Sequence, residues 1–162
     1  MSQIFIGIGS NVDREQNIAS CINRLRSNYE SFSMSPVYET SSMGFSGPNF
    51  YNLVCKFETN EKLQELKTNL TKIEMDHGRT HGETKFSSRT LDIDILYYDS
   101  LVIEVDNITV PRDEIIRYDF VLRPLVDIAP EFIHPKEKLT NQQILNTYDI
   151  EKLIINTVNI NL

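Results

Sequence analysis

The run Arg89-Thr90-Leu91-Asp92-Ile93-Asp94-Ile95-Leu96 carries the residues best suited to chemistry. Side chains alternate faces along a strand, so Asp92 and Asp94 would share one side, about 6–7 Å apart. Leu91, Ile93 and Ile95 would then point into a core. Two carboxylates so spaced can hold one or two Mg²⁺, a hard cation that also takes waters and phosphate oxygens. A solvated strand face with two acids is the plain alternative. Mutual repulsion and the poor fit of Asp to strands tilt the balance toward a metal. The adjoining stretch 79–89 places Arg79, Lys85 and Arg89 against Glu83, a local charge of 3 − 1 = +2, and His81 would add to it at lower pH. Cations beside a metal-binding acid pair are what phosphoryl transfer needs, because charge shifts among the phosphate oxygens in the transition state. Gly78 and Gly82 would let this loop close as a lid.

A second group suits a flat heteroaromatic ring. Phe50 and Asn52 share a strand face and Phe120 lies far downstream, so rings could stack on a ligand while the amide reads its edge. Each aromatic taken singly reads as core. Gly7-Ile8-Gly9 has the form of a phosphate-binding pair, but a lone G-x-G is a weak signal, and the absence of G-x-x-x-x-G-K-[ST] excludes a P-loop. His77, His81 and His134 lack metal-ligand spacing, which argues against zinc. Without G-x-S-x-G, and with no base partner for Cys21 or Cys55, covalent catalysis is unsupported.

Composition narrows the partners. Across 162 residues, 16 Lys+Arg stand against 23 Asp+Glu, a net charge of −7 that disfavours nucleic acid as a partner. With 40% hydrophobic residues the chain reads as one globular domain, residues 1–162. No apolar run reaches the roughly 20 residues of a membrane span. Residues 1–10 contain no Lys or Arg and run into a strand pattern, so no export signal is expected. Two cysteines in apolar patterns read as buried thiols, and the expected location is the cytoplasm.

The elements that must position these residues follow from periodicity. A strand is expected over 3–8, then a turn through Gly7, Gly9, Ser10 and Asn11, and a helix over 13–29 with Ile18, Cys21, Ile22 and Leu25 at helical spacing. A strand over 32–39, with Pro36 marking an edge or bulge, precedes a strand over 50–59. The stripe Leu63, Leu66, Leu70, Ile73 predicts a helix over 61–77 that ends at Gly78, and 91–98 predicts another strand. A short extended pair near 101–105 and helical turns over 111–131 come last. The order strand, helix, strand, strand, helix, strand is the split βαβ of a ferredoxin-like α+β domain. It predicts an antiparallel sheet with helices packed on one face and the other face left for a ligand.

Motif by motif, the chain resembles the 6-hydroxymethyl-7,8-dihydropterin pyrophosphokinase family of folate biosynthesis. The matching pieces are Ile6-Gly7-Ile8-Gly9-Ser10-Asn11, Ser35-Pro36-Val37-Tyr38-Glu39-Thr40, Pro48-Asn49-Phe50-Tyr51-Asn52, Ile73-Glu74, Gly78-Arg79, the Arg89 to Ile95 run, Val110-Pro111 and Phe120-Val121-Leu122-Arg123-Pro124-Leu125. Their order and spacing, spread over residues 4 to about 135, make the set specific. The resemblance implies a ferredoxin-like fold and transfer of pyrophosphate from ATP to the pterin hydroxymethyl group, releasing AMP, with two Mg²⁺. By position, Asp92 and Asp94 would bind the metals, with Arg79, Lys85 and Arg89 completing the catalytic set. Phe50 and Phe120 would sandwich the pterin, and Asn52, Thr40 and Met43 would read its edge. ATP would meet Thr71, Glu74, Arg79, Arg89, Ile95, Thr109, Arg112, Arg117 and Tyr118. The expected state is a monomer that binds ATP and a reduced pterin, with no nucleic acid and no membrane.

The chain departs from the family at its ATP-clamping periphery. Arg112 stands where a His is usual, Tyr118 where an Arg is usual with Arg117 adjacent, and Thr71 where a Gln is frequent. In the lid, His81 replaces a common Arg and Lys85-Phe86 replaces Arg-Trp. Lysine keeps the charge but loses the bidentate fork, so the swap is not neutral. Slower turnover, weaker ATP binding and an altered substrate are each compatible with these changes. Two other readings stand beside the main one: a divergent relative acting on another pterin-like alcohol, and a ferredoxin-like nucleotide- or RNA-binding module without catalysis.

Overall fold

The computed structural model of the chain describes residues 1–42, 46–79 and 90–162. Its centre is a six-stranded antiparallel sheet of β1 (Ser2–Ser10), β2 (Glu30–Met34), β3 (Val37–Thr40), β4 (Phe50–Thr59), β5 (Asp92–Tyr98) and β8 (Ile154–Val158), in the order β5-β1-β4-β3-β8, with β2 paired to β4 beside β3. The central strand β1 (Ser2–Ser10) pairs with β4 (Phe50–Thr59) along its whole length, from Ser2↔Thr59 to Ser10↔Tyr51. On its other side it pairs with β5 (Asp92–Tyr98), which forms the sheet edge. The turn expected at Gly7 and Gly9 is not there: both glycines lie within β1, because the ladder to β4 continues through Ser10.

Side-chain alternation separates the two faces of the sheet. Ile4, Ile6, Ile8, Leu53, Cys55, Phe57, Ile93 and Ile95 belong to one buried cluster. They meet Ile18, Cys21, Ile22 and Leu25 of α1 (Arg14–Asn28) and Leu66, Leu70 and Ile73 of α2 (Leu63–Asp76). Truncating one of these, Leu66→Ala for example, removes apolar burial and leaves a cavity, a loss of about 2–5 kcal/mol. Gly78 adopts φ +88° just past α2, the left-handed C′ position that its lack of a Cβ permits.

The split βαβ order is as expected, with α1 and α2 on one face. The opposite face is only partly open. There Phe5, Val54, Leu96 and Tyr97 pack against Ile115, against Val121, Leu122 and Leu125 of α3 (Asp119–Ile128), and against Ile144 of α4 (Asn141–Thr147). These two helices lie outside the βαβ repeat, and they reduce the open face to the end that carries Asp92, Asp94 and Asn52.

Two further segments differ from the sequence reading. The single strand expected over 32–39 is two, β2 (Glu30–Met34) and β3 (Val37–Thr40). Pro36 has no N–H for a ladder, and Ser35 turns inward: its N–H donates to the Val54 carbonyl at 2.9 Å, and its hydroxyl accepts from the Val54 N–H at 3.0 Å. The extended pair near 101–105 is a hairpin of β6 (Ile103–Val105) and β7 (Ile108–Val110). Its two-residue turn places Asp106 and Asn107 at φ +48° and +66°, as such hairpins require. The chain closes on β8 (Ile154–Val158), paired antiparallel to β3. Among the described residues no helix is long and apolar enough to cross a membrane.

Candidate active site

Strand register builds the site. Asp92 pairs across to Gly9, Gly9 to Asn52, and Asn52 to Tyr38, so one row crosses β5, β1, β4 and β3. Asp94 pairs to Gly7, which pairs to Val54 in the next row but one. Adjacent strands lie about 4.8 Å apart, so Asp92 and Asn52 stand on either side of a trough whose floor, at Gly9, has no side chain. Gly7, Gly9, Asn52, Asp92, Asp94, Glu114 and Phe120 together line a cavity of about 30 Å³ in this trough. That is room for about one water.

Each acid of the pair has a guanidinium beside it. Arg79 Nη1 donates to Asp92 Oδ1 at 2.5 Å and to Glu74 Oε2 at 2.5 Å. The same Glu74 oxygen accepts the Ile93 backbone N–H at 2.7 Å. Glu74 is buried in the last turns of α2; burial pushes its carboxyl up from the usual range, opposed by the Ile93 N–H and the Arg79 charge. The acid thus ties α2 to β5 and holds Arg79 over Asp92. Farther along β5, Arg112 Nη2 lies 3.5 Å from Asp94 Oδ1, and Arg112 Nε pairs with the Glu114 carboxylate. Arg112 reaches this place because its N–H donates to the Leu96 carbonyl at 3.1 Å, which aligns the segment after β7 with β5.

Asp94 is the group most altered by this environment. Loss of solvent, then the Asp92 charge, push its carboxyl up to about 7, with Arg112 opposing and Glu114 adding to the rise. Carboxylates crowded in this way call for positive charge. Among the described residues no three His, Cys, Asp or Glu side chains converge as a metal cage. Two carboxylates on one strand face are nonetheless the protein share that Mg²⁺ takes where phosphate oxygens supply the rest, so this donor set fits Mg²⁺.

On the far side of the trough, Asn52 Nδ2 donates to the Thr40 hydroxyl at 2.7 Å, so its amide is already oriented. Phe50 pairs across to Thr40 and packs within reach of Gly9. Phe120 forms the opposite wall from the first turn of α3, stacked on Tyr118 with ring centres 5.4 Å apart.

The expected ATP contacts fall into three groups. Glu74, Arg79 and Arg112 gather around the acid pair as described. Thr71 lies one helical turn before Glu74 and shares its side of α2. Thr109 sits between Ile108 and Val110, which pack in the same core as Ile95. Arg117 and Tyr118 stand apart from the acids: Tyr118 is buried beside Phe120, and the exposed Arg117 lies over its ring at 5.4 Å. Met43 and the lid residues His81, Lys85, Phe86 and Arg89 lie outside the described residues.

Three contributors take parts that sequence spacing does not reveal. Glu114 enters from a 3-10 turn, Asp113–Ile116, more than a strand away from the Asp pair in sequence. Gly9 matters as the missing side chain in the floor. Asp119, the first residue of α3, accepts backbone N–H groups from Leu153 and Ile154 at 2.9 and 3.1 Å. Only Asp119 had a local hint, an acid in the first turn of a helix.

Comparison with known proteins identifies the family. The family model described as 7,8-dihydro-6-hydroxymethylpterin-pyrophosphokinase (HPPK) matches residues 5–130. A protein of Aquifex aeolicus named 2-amino-4-hydroxy-6-hydroxymethyldihydropteridine pyrophosphokinase is 38% identical over 137 residues, covering 83% of this chain and 85% of that protein. The folic acid synthesis protein FOL1 of Dictyostelium discoideum is 38% identical over 144 residues, covering 87% of this chain but 22% of its own length, so the chain spans about a fifth of that relative. A crystal structure of Plasmodium falciparum HPPK-DHPS with pteroate shares the fold, with a TM-score of 0.71 at 13% identity over 90% of this chain and 42% of that one. With the family pattern extending through both the acid pair and the aromatic wall, the chain belongs to the 7,8-dihydro-6-hydroxymethylpterin-pyrophosphokinase family of diphosphokinases.

Proposed function

We propose that this chain transfers the pyrophosphoryl group of ATP to the hydroxymethyl oxygen of 6-hydroxymethyl-7,8-dihydropterin, a step of folate biosynthesis, within one domain spanning 1–162. The observation that carries this reading is the row Asp92–Gly9–Asn52, in which the Asn52 amide lies over the bare Gly9 backbone, beside the strand that carries the acid pair. The hydroxymethyl oxygen attacks the β-phosphorus of ATP, the bond from that phosphorus to the oxygen of the α-phosphate breaks, and AMP departs while the hydroxyl proton is released.

Each residue has a part in that geometry. Phe50 and Phe120 bind the two faces of the pterin, while Asn52, oriented by Thr40, reads its edge and turns the hydroxymethyl group toward the acids. Asp92 and Asp94 would hold two Mg²⁺, which would supply neutralisation of the phosphate oxygens. Arg79 and Arg112, already fixed by Glu74 and Glu114 beside the acid pair, would offset the remaining charge of the triphosphate. Thr71, Glu74, Ile95 and Thr109 border the nucleoside side of β5, with Lys85, Arg89 and Met43 assigned to ATP and pterin by family position.

The test is direct. The protein incubated with ATP, Mg²⁺ and the hydroxymethyl dihydropterin is expected to form AMP in proportion to pterin consumed. Formation of ADP, or AMP release independent of the pterin, overturns the reading.

A further inference from the structure

The C-terminal segment makes a set of contacts that the reaction as described does not use. Within four residues it bonds to both walls of the ring-binding slot. Glu151 exchanges backbone bonds with the Phe120 wall: Asp119 N–H donates to the Glu151 carbonyl at 3.0 Å, and Glu151 N–H donates to the Arg117 carbonyl at 2.9 Å. The Asp119 carboxylate then accepts the Leu153 and Ile154 N–H groups at 2.9 and 3.1 Å. On the sheet side, Ser41 N–H donates to the Leu153 carbonyl at 3.1 Å, and β8 continues along β3 from Thr40↔Ile154 to Val37↔Val158.

The segment is held by its backbone more than by its side chains. Ile155, Asn156 and Thr157 are exposed, as are Glu151 and Lys152, so β8 buries little apolar surface of its own. Its contribution is therefore geometric. It fixes the distance between Thr40, which orients Asn52, and Asp119, which adjoins Phe120.

We propose that residues 151–158 are a positioning element for the pterin slot, with Asp119 as the residue that couples them to the Phe120 wall. This rests on the reading of the slot as a pterin site. Asp119 is a positioning residue: it acts through Leu153 and Ile154 on the separation of the two walls. The charge suits the task, since a carboxylate at the first turn of α3 is favoured by the helix dipole while its oxygens accept two successive backbone N–H groups.

The experiment compares full-length wild type, Asp119→Ala and Asp119→Asn. Hydrogen exchange is expected to speed up at Leu153, Ile154 and, across the slot, at Ser41. The KM for the pterin is expected to rise about tenfold in Asp119→Ala, the equivalent of about 1.4 kcal/mol of lost positioning, with the KM for ATP held within about twofold. Asp119→Asn, which keeps one acceptor oxygen, is expected between the two, and it carries the test if Asp119→Ala does not fold. Equal rises in both KM values, or an unchanged pterin KM alongside faster exchange, overturn the proposal and leave β8 as a cover for the edge of β3. If wild type itself shows no pterin-dependent AMP, the substrate reading fails, and the coupling of the walls then stands or falls on exchange at Ser41.

Discussion

Gly9 lies directly beneath the amide of Asn52: a Cβ placed on Gly9 would sit 2.6 Å from Asn52 Oδ1 and 3.7 Å from the Phe50 ring. An Ala here must push the amide aside, and the amide is not free to yield because it donates to Thr40 Oγ1 at 2.7 Å. Gly9→Ala is therefore expected to raise the pterin KM about tenfold, the value of roughly one hydrogen bond, and to leave the KM for ATP nearly unchanged. Steady-state kinetics with each substrate varied in turn would check this; an unaltered pterin KM would remove Asn52 from the ring site.

Asp94 links acid strength to stability. Its carboxyl is pushed from 3.8 up to about 7 by burial and by Asp92. The folded state thus holds this proton more tightly than the unfolded chain, so the group's stabilisation is complete below 3.8 and is lost as pH rises through about 7. In metal-free buffer, Asp94→Asn should gain on wild type by about 1–3 kcal/mol between about pH 5 and 8, read by urea denaturation. The same variant should lose pterin-dependent AMP formation. A stability difference that does not vary with pH would show that Asp94 is an ordinary exposed acid.

Glu74 serves two partners with one oxygen. Removing it strands the Ile93 N–H and takes from Arg79 one of the two carboxylates that it meets among the described residues, leaving Asp92. Glu74→Ala is expected to cost about 2–4 kcal/mol, lowering Tm by roughly 5–15 °C for a chain of this size. ATP binding, followed by calorimetry near 10 °C where the variant remains folded, should weaken as well. Wild-type affinity in a folded variant would separate Arg79 from the nucleotide.

Metal removal should stop the reaction without unfolding the protein. Asp92 and Asp94 are fixed by pairing with Gly9 and Gly7, not by a ligand. EDTA is expected to abolish AMP formation, and excess Mg²⁺ to restore it, with Tm moving by no more than about 3 °C. Collapse of the fold on chelation would instead mark a structural ion, as in domains that fold only around a metal.

Much of this architecture is legible in the amino-acid sequence. The period of two in 50–59 puts Phe50 and Asn52 on one strand face, and the buried clusters follow it, with Val54 on that side and Leu53 and Cys55 on the other. The 3.6-residue stripe Leu63, Leu66, Leu70, Ile73 located α2, which runs Leu63–Asp76. At two places backbone bonding overrides local preference. Glycines at 7 and 9 look like a turn, yet β4 and β5 on either side hold them in a strand. Val37 to Thr40 looked continuous with Phe32, but Pro36 interrupts the ladder.

What the amino-acid sequence determined by itself was local: two acids on one strand face, an amide beside an aromatic, and cations close in sequence to the acids. Such features depend on a period of two or of 3.6 residues, which any segment carries within itself. Tertiary structure alone decided that Asp92 faces Asn52 across Gly9, that Arg112 and Glu114 come back to Asp94, and that residues 151–154 join Ser41 to Asp119. These meetings run through backbone hydrogen bonds and strand register. Nearly every residue offers the same N–H and C=O, so the chain spells out its faces but leaves its neighbours to the packing of the whole sheet.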